Sequence, residues 1–212
     1  LKDLEIVIVD YGMGNIRSIE NAIKKIGYKK PTVTSDPTII QNSECIILPG
    51  VGAFPDAMYK LQEKKLIEHL ENAAVVKKTP TLGICLGMQL LFEYSIEKKL
   101  TKGLGWIPGT VEYIKPSKGL RVPHVGWNSI KKTDHGAIFN YLKTDKDFYF
   151  VHSLHAKCEK KHIIAEFDYG ETMVAAVKND NIIGMQFHPE KSQENGLNAL
   201  KEFFKWASKY HD

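Results

Sequence analysis

The sequence predicts an α/β fold: a mostly parallel sheet between helices in three layers, with an antiparallel extension from the second half of the chain. Three observations predict it. Unbroken apolar runs, Ile6-Val7-Ile8-Val9 and Cys45-Ile46-Ile47-Leu48, suit strands buried on both faces. Segments with helical spacing follow such runs, as βαβ units require. Beyond residue 110 helices give way to short apolar stretches punctuated by Gly, Asp and Asn, as in antiparallel hairpins.

Size and composition bound the rest. The 212 residues fit one domain, expected to span positions 1–212. Hydrophobic residues at 43% and charged ones at 25% are those of an ordinary soluble globule. The formal net charge of +4 is small and its lysines are scattered, which argues against a nucleic-acid footprint. Three cysteines, Cys45, Cys85 and Cys158, argue against a disulfide framework, and no Cys/His spacing suggests zinc. No metal or cofactor is expected. The charged opening residues lead straight into a strand, and no apolar run approaches membrane-spanning length. A reduced cytoplasmic setting is the expectation.

In chain order, the strand 6–9 leads through Asp10-Tyr11-Gly12-Met13-Gly14-Asn15 into a helix marked by Ile16, Ile19, Ile23 and Ile26, with Gly27 as its cap. A dinucleotide site is rejected here, because Arg17 stands where the third glycine of G-x-G-x-x-G belongs. A strand over 31–34 precedes Ser35-Asp36-Pro37, a turn or helix start. The strand 45–48 runs into Pro49-Gly50-Val51-Gly52, in which two glycines let a backbone N–H swing and approach a ligand closely. That stretch reads either as a plain strand-to-helix turn or as a donor site. An amphipathic helix over 66–76 comes next.

Thr79 to Phe92 then reads as a buried strand, a sharp turn at Cys85 and a helix opening at Leu86. Gly83 and Gly87 flank the cysteine in a G-x-nucleophile-x-G elbow. At a helix N-terminus a thiolate is stabilised, and the Leu86 N–H is placed to meet an oxyanion. Taken alone, the stretch equally suits an inert buried cysteine. Gln89, one helical turn on, shares the face of Cys85, so its amide can hold a substrate. Glu97 could pair a substrate ammonium or be a plain surface charge. Residues 103–109 read as a loop.

Short strands are expected over 110–114, 121–125, 148–152, 163–167, 173–177 and 182–187, with a turn at Asn179-Asp180-Asn181. A closing amphipathic helix over 197–210 buries Leu197, Leu200, Phe203, Phe204 and Ala207. The last strand ends in His188-Pro189-Glu190. In extended chain, positions two apart face one side, so Glu190 can orient His188 as general base to a nucleophile. Cys85, His188 and Glu190 thus form a candidate triad.

On Asp10 to Asn15, Pro49 to Phe54, Gly83 to Gln89, Pro123 to Asn128, Phe150 to Ser153 and Gln186 to Ser192, the chain resembles the class I (triad) glutamine amidotransferases. More narrowly, it is similar to the glutaminase subunits of imidazole glycerol phosphate synthase, from histidine biosynthesis. The resemblance implies a flavodoxin-like core and hydrolysis of L-glutamine to glutamate and ammonia through a thioester on Cys85. It implies an oxyanion hole from Val51 and Leu86 N–H groups, and glutamine contacts at Gly50, Gly52, Gln89, Glu97 and Ser153. It also implies a heterodimer with a cyclase resembling a (β/α)₈ barrel, touching Asn15, Trp127, Tyr149 and Lys191; Trp127 and Tyr149 would equally suit core packing. Free ammonia is a poor product to release, which independently calls for a synthase partner. Two positions depart from the family pattern: Val125 replaces a methionine and Leu154 an aromatic. They admit a relative that feeds ammonia to a sugar-modifying amidotransferase. A γ-glutamyl hydrolase would share the elbow without requiring Gly87-Met88-Gln89 after it. A non-catalytic scaffold subunit would not need all three triad positions filled.

Overall fold

The computed structural model describes residues 4–115, 119–142 and 146–210; the first three of the charged opening residues lie outside it. Five parallel strands form its core in the order β2 (Thr32–Thr34), β1 (Ile6–Val9), β3 (Cys45–Leu48), β4 (Thr81–Ile84) and β13 (Ile182–Met185). The same sheet continues antiparallel through β12 (Glu171–Asn179), β11 (Ile163–Tyr169), β8 (His124–Lys132) and β9 (Lys146–His152). Parallel core and antiparallel extension are those expected from the sequence.

Alternate residues of the core strands feed two apolar layers. Ile6, Ile8, Cys45, Ile47, Leu82 and Ile84 face α1 (Ile16–Lys25) and α6 (Gln193–Tyr210), which bury Ile19 and Ile23, and Leu200, Phe203 and Phe204. Val7, Val9, Ile46 and Leu48 face the other layer, with Phe54, Ala57 and Leu61 of α3 (Phe54–Glu63) and Leu70 of α4 (Ile67–Glu71). Burial on both faces explains why these strands carry no polar alternation. Asp36 caps α2 (Pro37–Gln41) by accepting from the Thr38 and Ile39 N–H groups, so the Ser-Asp-Pro signal is a helix start.

The structure departs from the sequence-based expectation at several elements. The helix after Cys85, α5 (Leu86–Leu90), is only five residues long, and Phe92 already belongs to β5 (Phe92–Ser95). Together with β6 (Thr101–Lys102), β7 (Ile107–Tyr113) and β10 (Leu154–Lys157), β5 forms a second, four-stranded sheet among the described residues. That sheet covers the helical layer through Phe92, Ile107 and Val111, and takes in part of the stretch expected as a loop. The strand expected over 121–125 runs instead over β8, because Pro123 has no N–H for a ladder. Last, the helix over 66–76 passes into a π-helical turn at Asn72–Val76. Buried Asn181 donates to the carbonyls of Ala74, inside the irregular turn, and Thr79, just past it.

Candidate active site

Three adjacent parallel strands each deliver one part of the site from their C-terminal ends. The chain leaves β3 into Pro49-Gly50-Val51-Gly52, leaves β4 into Cys85, and leaves β13 into Gln186-Phe187-His188. Ligands in open α/β sheets gather at this edge.

Cys85 sits at the elbow with φ 54° and ψ −110°, a strained conformation for a residue with a side chain. Close packing of backbone on backbone holds it there. A Cβ on Gly83 would lie 2.6 Å from the Gly87 carbonyl oxygen, and one on Gly50 would lie 2.8 Å from the Gly87 nitrogen. Only glycines permit that approach, so the loop after β3 lies directly on the elbow. Buried Tyr11 donates from its hydroxyl to the Pro49 carbonyl at 2.7 Å and pins the same loop. Nothing in the spacing around Tyr11 signals that role.

His188 Nδ1 lies 2.8 Å from Glu190 Oε1, with both side chains almost wholly buried. The extended strand expected to pair them is absent. β13 ends at Met185, and Pro189–Lys191 form a 3₁₀ turn that folds the carboxylate back onto the ring. Among the described residues, His188 Nε2 is buried with no hydrogen-bond partner. Burial pulls His188 toward the neutral form. The nearby Cys85 sulfur and the Glu190 carboxylate outweigh it, pushing the pKa up to about 10. An imidazolium beside a sulfur suits a nucleophilic thiolate.

A cavity of about 300 Å³ opens over this pair, lined by Val51, Gly52, Cys85, Leu86, Gln89, Glu97, Pro123, Val151, His152, Ser153, Leu154 and His188. Of the sequence-expected site residues, it gathers Val51, Gly52, Cys85, Leu86, Gln89, Glu97, Ser153 and His188. Gly50 lies behind the elbow and Glu190 behind the histidine. Two lining residues carry further internal bonds. Glu97 Oε2 accepts from the Phe54 N–H at 2.6 Å, and Gln89 Nε2 donates to the Leu154 carbonyl and to Gln186 Oε1.

His152 carries no signal in the sequence beyond its motif. It lies buried under the cavity, its Nδ1 2.7 Å from the Leu154 carbonyl and its Nε2 3.1 Å from His124 Nδ1. Burial pushes its pKa down to about 3, so the ring is neutral and donates to the carbonyl. Among the described residues, no group of three or more His, Cys, Asp or Glu side chains could hold a metal ion.

Trp127 is 47% exposed, which rules out the core-packing reading. Its ring lies 5.9 Å from that of Tyr149, and Lys191 Nζ lies 5.9 Å from the Tyr149 ring centroid. These three form one surface group beside His188; Asn15 precedes α1 on the loop after β1.

A strained cysteine between glycines, a glutamate-bound histidine and a small cavity between them admit several acyl-transfer chemistries, and comparison with known proteins selects among them. The family model described as glutamine amidotransferase class-I matches residues 7–206. The chain belongs to this family. Within it, the chain is 59% identical over 204 residues to imidazole glycerol phosphate synthase subunit HisH 2 of Vibrio vulnificus, covering 96% of this chain and 95% of that protein. It is 48% identical over 198 residues to subunit HisH of Exiguobacterium sibiricum, covering 93% of each. This class-I glutamine amidotransferase is thus a glutaminase subunit of the HisH type. The structure of PurLQS from Thermotoga maritima superposes with a TM-score of 0.72 at 18% identity, covering 96% of this chain and 99% of that one, a likeness of fold. No helix among the described residues is long and apolar enough to cross a membrane.

Proposed function

We propose that this chain hydrolyses L-glutamine with Cys85 as nucleophile, His188 as general base and acid, and Glu190 as the carboxylate that orients it. The observation that carries this reading is the 2.8 Å Nδ1–Oε1 contact, with His188 Nε2 unpartnered among the described residues and beside the cavity that Cys85 also lines. The Cys85 sulfur attacks the side-chain amide carbon of glutamine. The N–H groups of Leu86 and Val51 stabilise the tetrahedral oxyanion, a donor being worth about 3 kcal/mol. His188 gives its proton to the departing ammonia, then draws one from the water that hydrolyses the thioester. Gly50 and Gly52 keep the loop close to the substrate. Gln89 and Ser153 position the glutamine, and Glu97 takes its α-ammonium.

The ammonia passes to a cyclase subunit, resembling a (β/α)₈ barrel, that makes imidazole glycerol phosphate and an aminoimidazole carboxamide nucleotide (AICAR) for histidine synthesis. Asn15, Trp127, Tyr149 and Lys191 are the proposed contacts of that heterodimer, and the setting is the cytoplasm. Identity to a HisH 2 subunit supports this partner. A second reading rests on Val125, which stands where the family pattern has a methionine and is 56% exposed two residues before Trp127 on the proposed docking face. On that reading the acceptor is a sugar-modifying amidotransferase.

The test measures glutamate release from glutamine, and product formation from glutamine or ammonium salts, by the wild type and Cys85→Ala with the purified cyclase. Cys85→Ala is expected to abolish glutamine hydrolysis and to leave ammonium-driven product formation intact. Native hydrolysis by Cys85→Ala rejects the nucleophile. Glutamine hydrolysis by the wild type with no transfer to the cyclase selects the second reading.

A further inference from the structure

We infer that Gln186 acts directly on the Cys85 sulfur, its side-chain amide donating a hydrogen bond that favours the thiolate. The inference rests on the reading of Cys85 as the nucleophile and adds a group to it. Gln186 is fully buried, and its Nε2 lies 3.9 Å from Cys85 Sγ. The two residues meet although 101 positions separate them, because β13 pairs parallel with β4 in the register Met185 to Ile84. The next residue on each strand is therefore Gln186 beside Cys85.

The polarity of the amide is fixed by its neighbours. The Leu154 carbonyl oxygen can only accept, and the terminal atom of Gln89 that lies 3.2 Å from it must be the nitrogen. The second proton of that nitrogen points to Gln186, 3.0 Å away, which must present its oxygen. The Gln186 nitrogen then faces the sulfur. Turning either amide over would set donor against donor or acceptor against acceptor. The relay is anchored at both ends: the Leu154 carbonyl also accepts from His152 Nδ1, and the Gln186 backbone N–H donates to the Ala175 carbonyl.

An amide N–H bonds an ionised sulfur more strongly than a neutral one, since charge assistance is present only in the ion. The neutral thiol has a different partner: its S–H points to the Val151 carbonyl at 3.8 Å. Each protonation state of Cys85 thus has its own bond, and Gln186 serves the reactive one. His188 supplies charge; Gln186 supplies a fixed dipole that needs no proton to work.

The experiment follows alkylation of Cys85 by iodoacetamide against pH. Peptide mapping separates its adduct from those of Cys45 and Cys158. Gln186→Met keeps the length and removes the donor, and Gln186→Glu puts a carboxylate against the sulfur. Alkylation at pH 7 is expected to slow about three- to tenfold in Gln186→Met and further in Gln186→Glu, with both profiles displaced to higher pH. The kcat for glutamine should fall in step while KM holds. A folded Gln186→Met with the wild-type alkylation profile overturns the inference. If the variants do not fold, the wild type decides: its Gln186 side-chain ¹⁵N–H₂ resonances must move over the pH range in which alkylation rises, and static resonances overturn the inference. Failure of the underlying reading looks different, since wild type alkylated at Cys85 would then still hydrolyse glutamine.

Discussion

Gly87 lies so close to Leu48 that a Cβ on the glycine would stand 1.9 Å from the Leu48 carbonyl oxygen. The contact joins the first turn of α5 to the end of β3. It fixes the height at which the Gly50–Gly52 loop crosses the elbow, and with it the distance between the two proposed oxyanion donors.

Gly87→Ala is therefore expected to be costly. The obstructing atom belongs to backbone and cannot rotate away, so overpacking of about 3 kcal/mol follows, at the upper end of its usual range. For a chain of this size the melting temperature should drop by roughly 6–12 °C. Gly105, unlike Gly87, has positive φ (72°) and nothing among the described residues within 4 Å of a Cβ, so Gly105→Ala should cost about 1 kcal/mol from strain alone. Thermal unfolding of the two variants measures the difference, and equal melting temperatures would mean the loop yields easily.

Glu97 shows where the sequence was legible and where it was not. Its distance in sequence from the cavity gave two readings, ligand partner or surface charge. The structure adds a third role, as acceptor for the first N–H of α3, whose own N-cap residue Ala53 makes no side-chain cap bond. The elbow was readable because strand, glycines and cysteine are contiguous. The His188–Glu190 pairing was readable because two positions limit the geometry, although the 3₁₀ turn behind it was not. Gln186, Tyr11 and His152 lie in the site through strand order: Gln186 meets Cys85 across 101 residues and Tyr11 meets Pro49 across 38. No local spacing encodes such contacts. The second sheet escaped for a related reason, since β5 and β6 are very short and β10 joins their neighbour β7 from a distant part of the chain.

Glu97→Ala should then do two things at once. Loss of the cap destabilises by about 1–2 kcal/mol. Loss of the charge raises KM for glutamine about ten- to a hundredfold, an ionic hydrogen bond being worth some 1.5–3 kcal/mol. Glu97→Gln separates the effects, because an amide oxygen can still accept from the Phe54 N–H. Urea unfolding and steady-state kinetics on both variants should show stability restored and KM still high. A normal KM in either variant removes Glu97 from the substrate site.

Two histidines give opposite pH dependences. His152 has its pKa lowered to about 3 when folded, against an ordinary 6.5, so the unfolded chain binds its proton first as pH falls. Stability present above pH 6.5 is lost progressively toward pH 3. His188 is raised to about 10, so its contribution is complete below pH 6.5 and fades as pH climbs through 10. His152→Asn, whose amide can still donate to the Leu154 carbonyl, should flatten the acid limb and leave the alkaline limb alone. Unfolding free energies between pH 4 and pH 10 provide the check; an unchanged acid slope assigns that limb to other groups.

The final prediction concerns Ser192, which ties the docking face to the base. Its hydroxyl donates to the His188 carbonyl at 2.6 Å and accepts from the Tyr149 N–H at 2.9 Å, while the Tyr149 carbonyl accepts from the His188 N–H at 2.9 Å. The backbone of His188 is thus held on both sides by the strand that carries Tyr149. Across the adjacent strand from Tyr149 lies exposed Trp127, and Lys191 sits over the Tyr149 ring. A subunit docking on these side chains bears on groups one hydrogen bond from the base. Ser192→Ala leaves the buried His188 carbonyl and the half-buried Tyr149 N–H short of a partner, a loss of about 1–3 kcal/mol. Trp127→Ala removes a surface contact and should leave the basal rate alone. Glutamine turnover is measured for wild type, each single variant and the double variant, alone and with saturating cyclase. If the partner raises turnover through this bridge, Ser192→Ala lowers the stimulated rate by a larger factor than the basal rate, and the two substitutions are non-additive in the complex. Equal proportional losses with and without the cyclase would confine Ser192 to holding the fold.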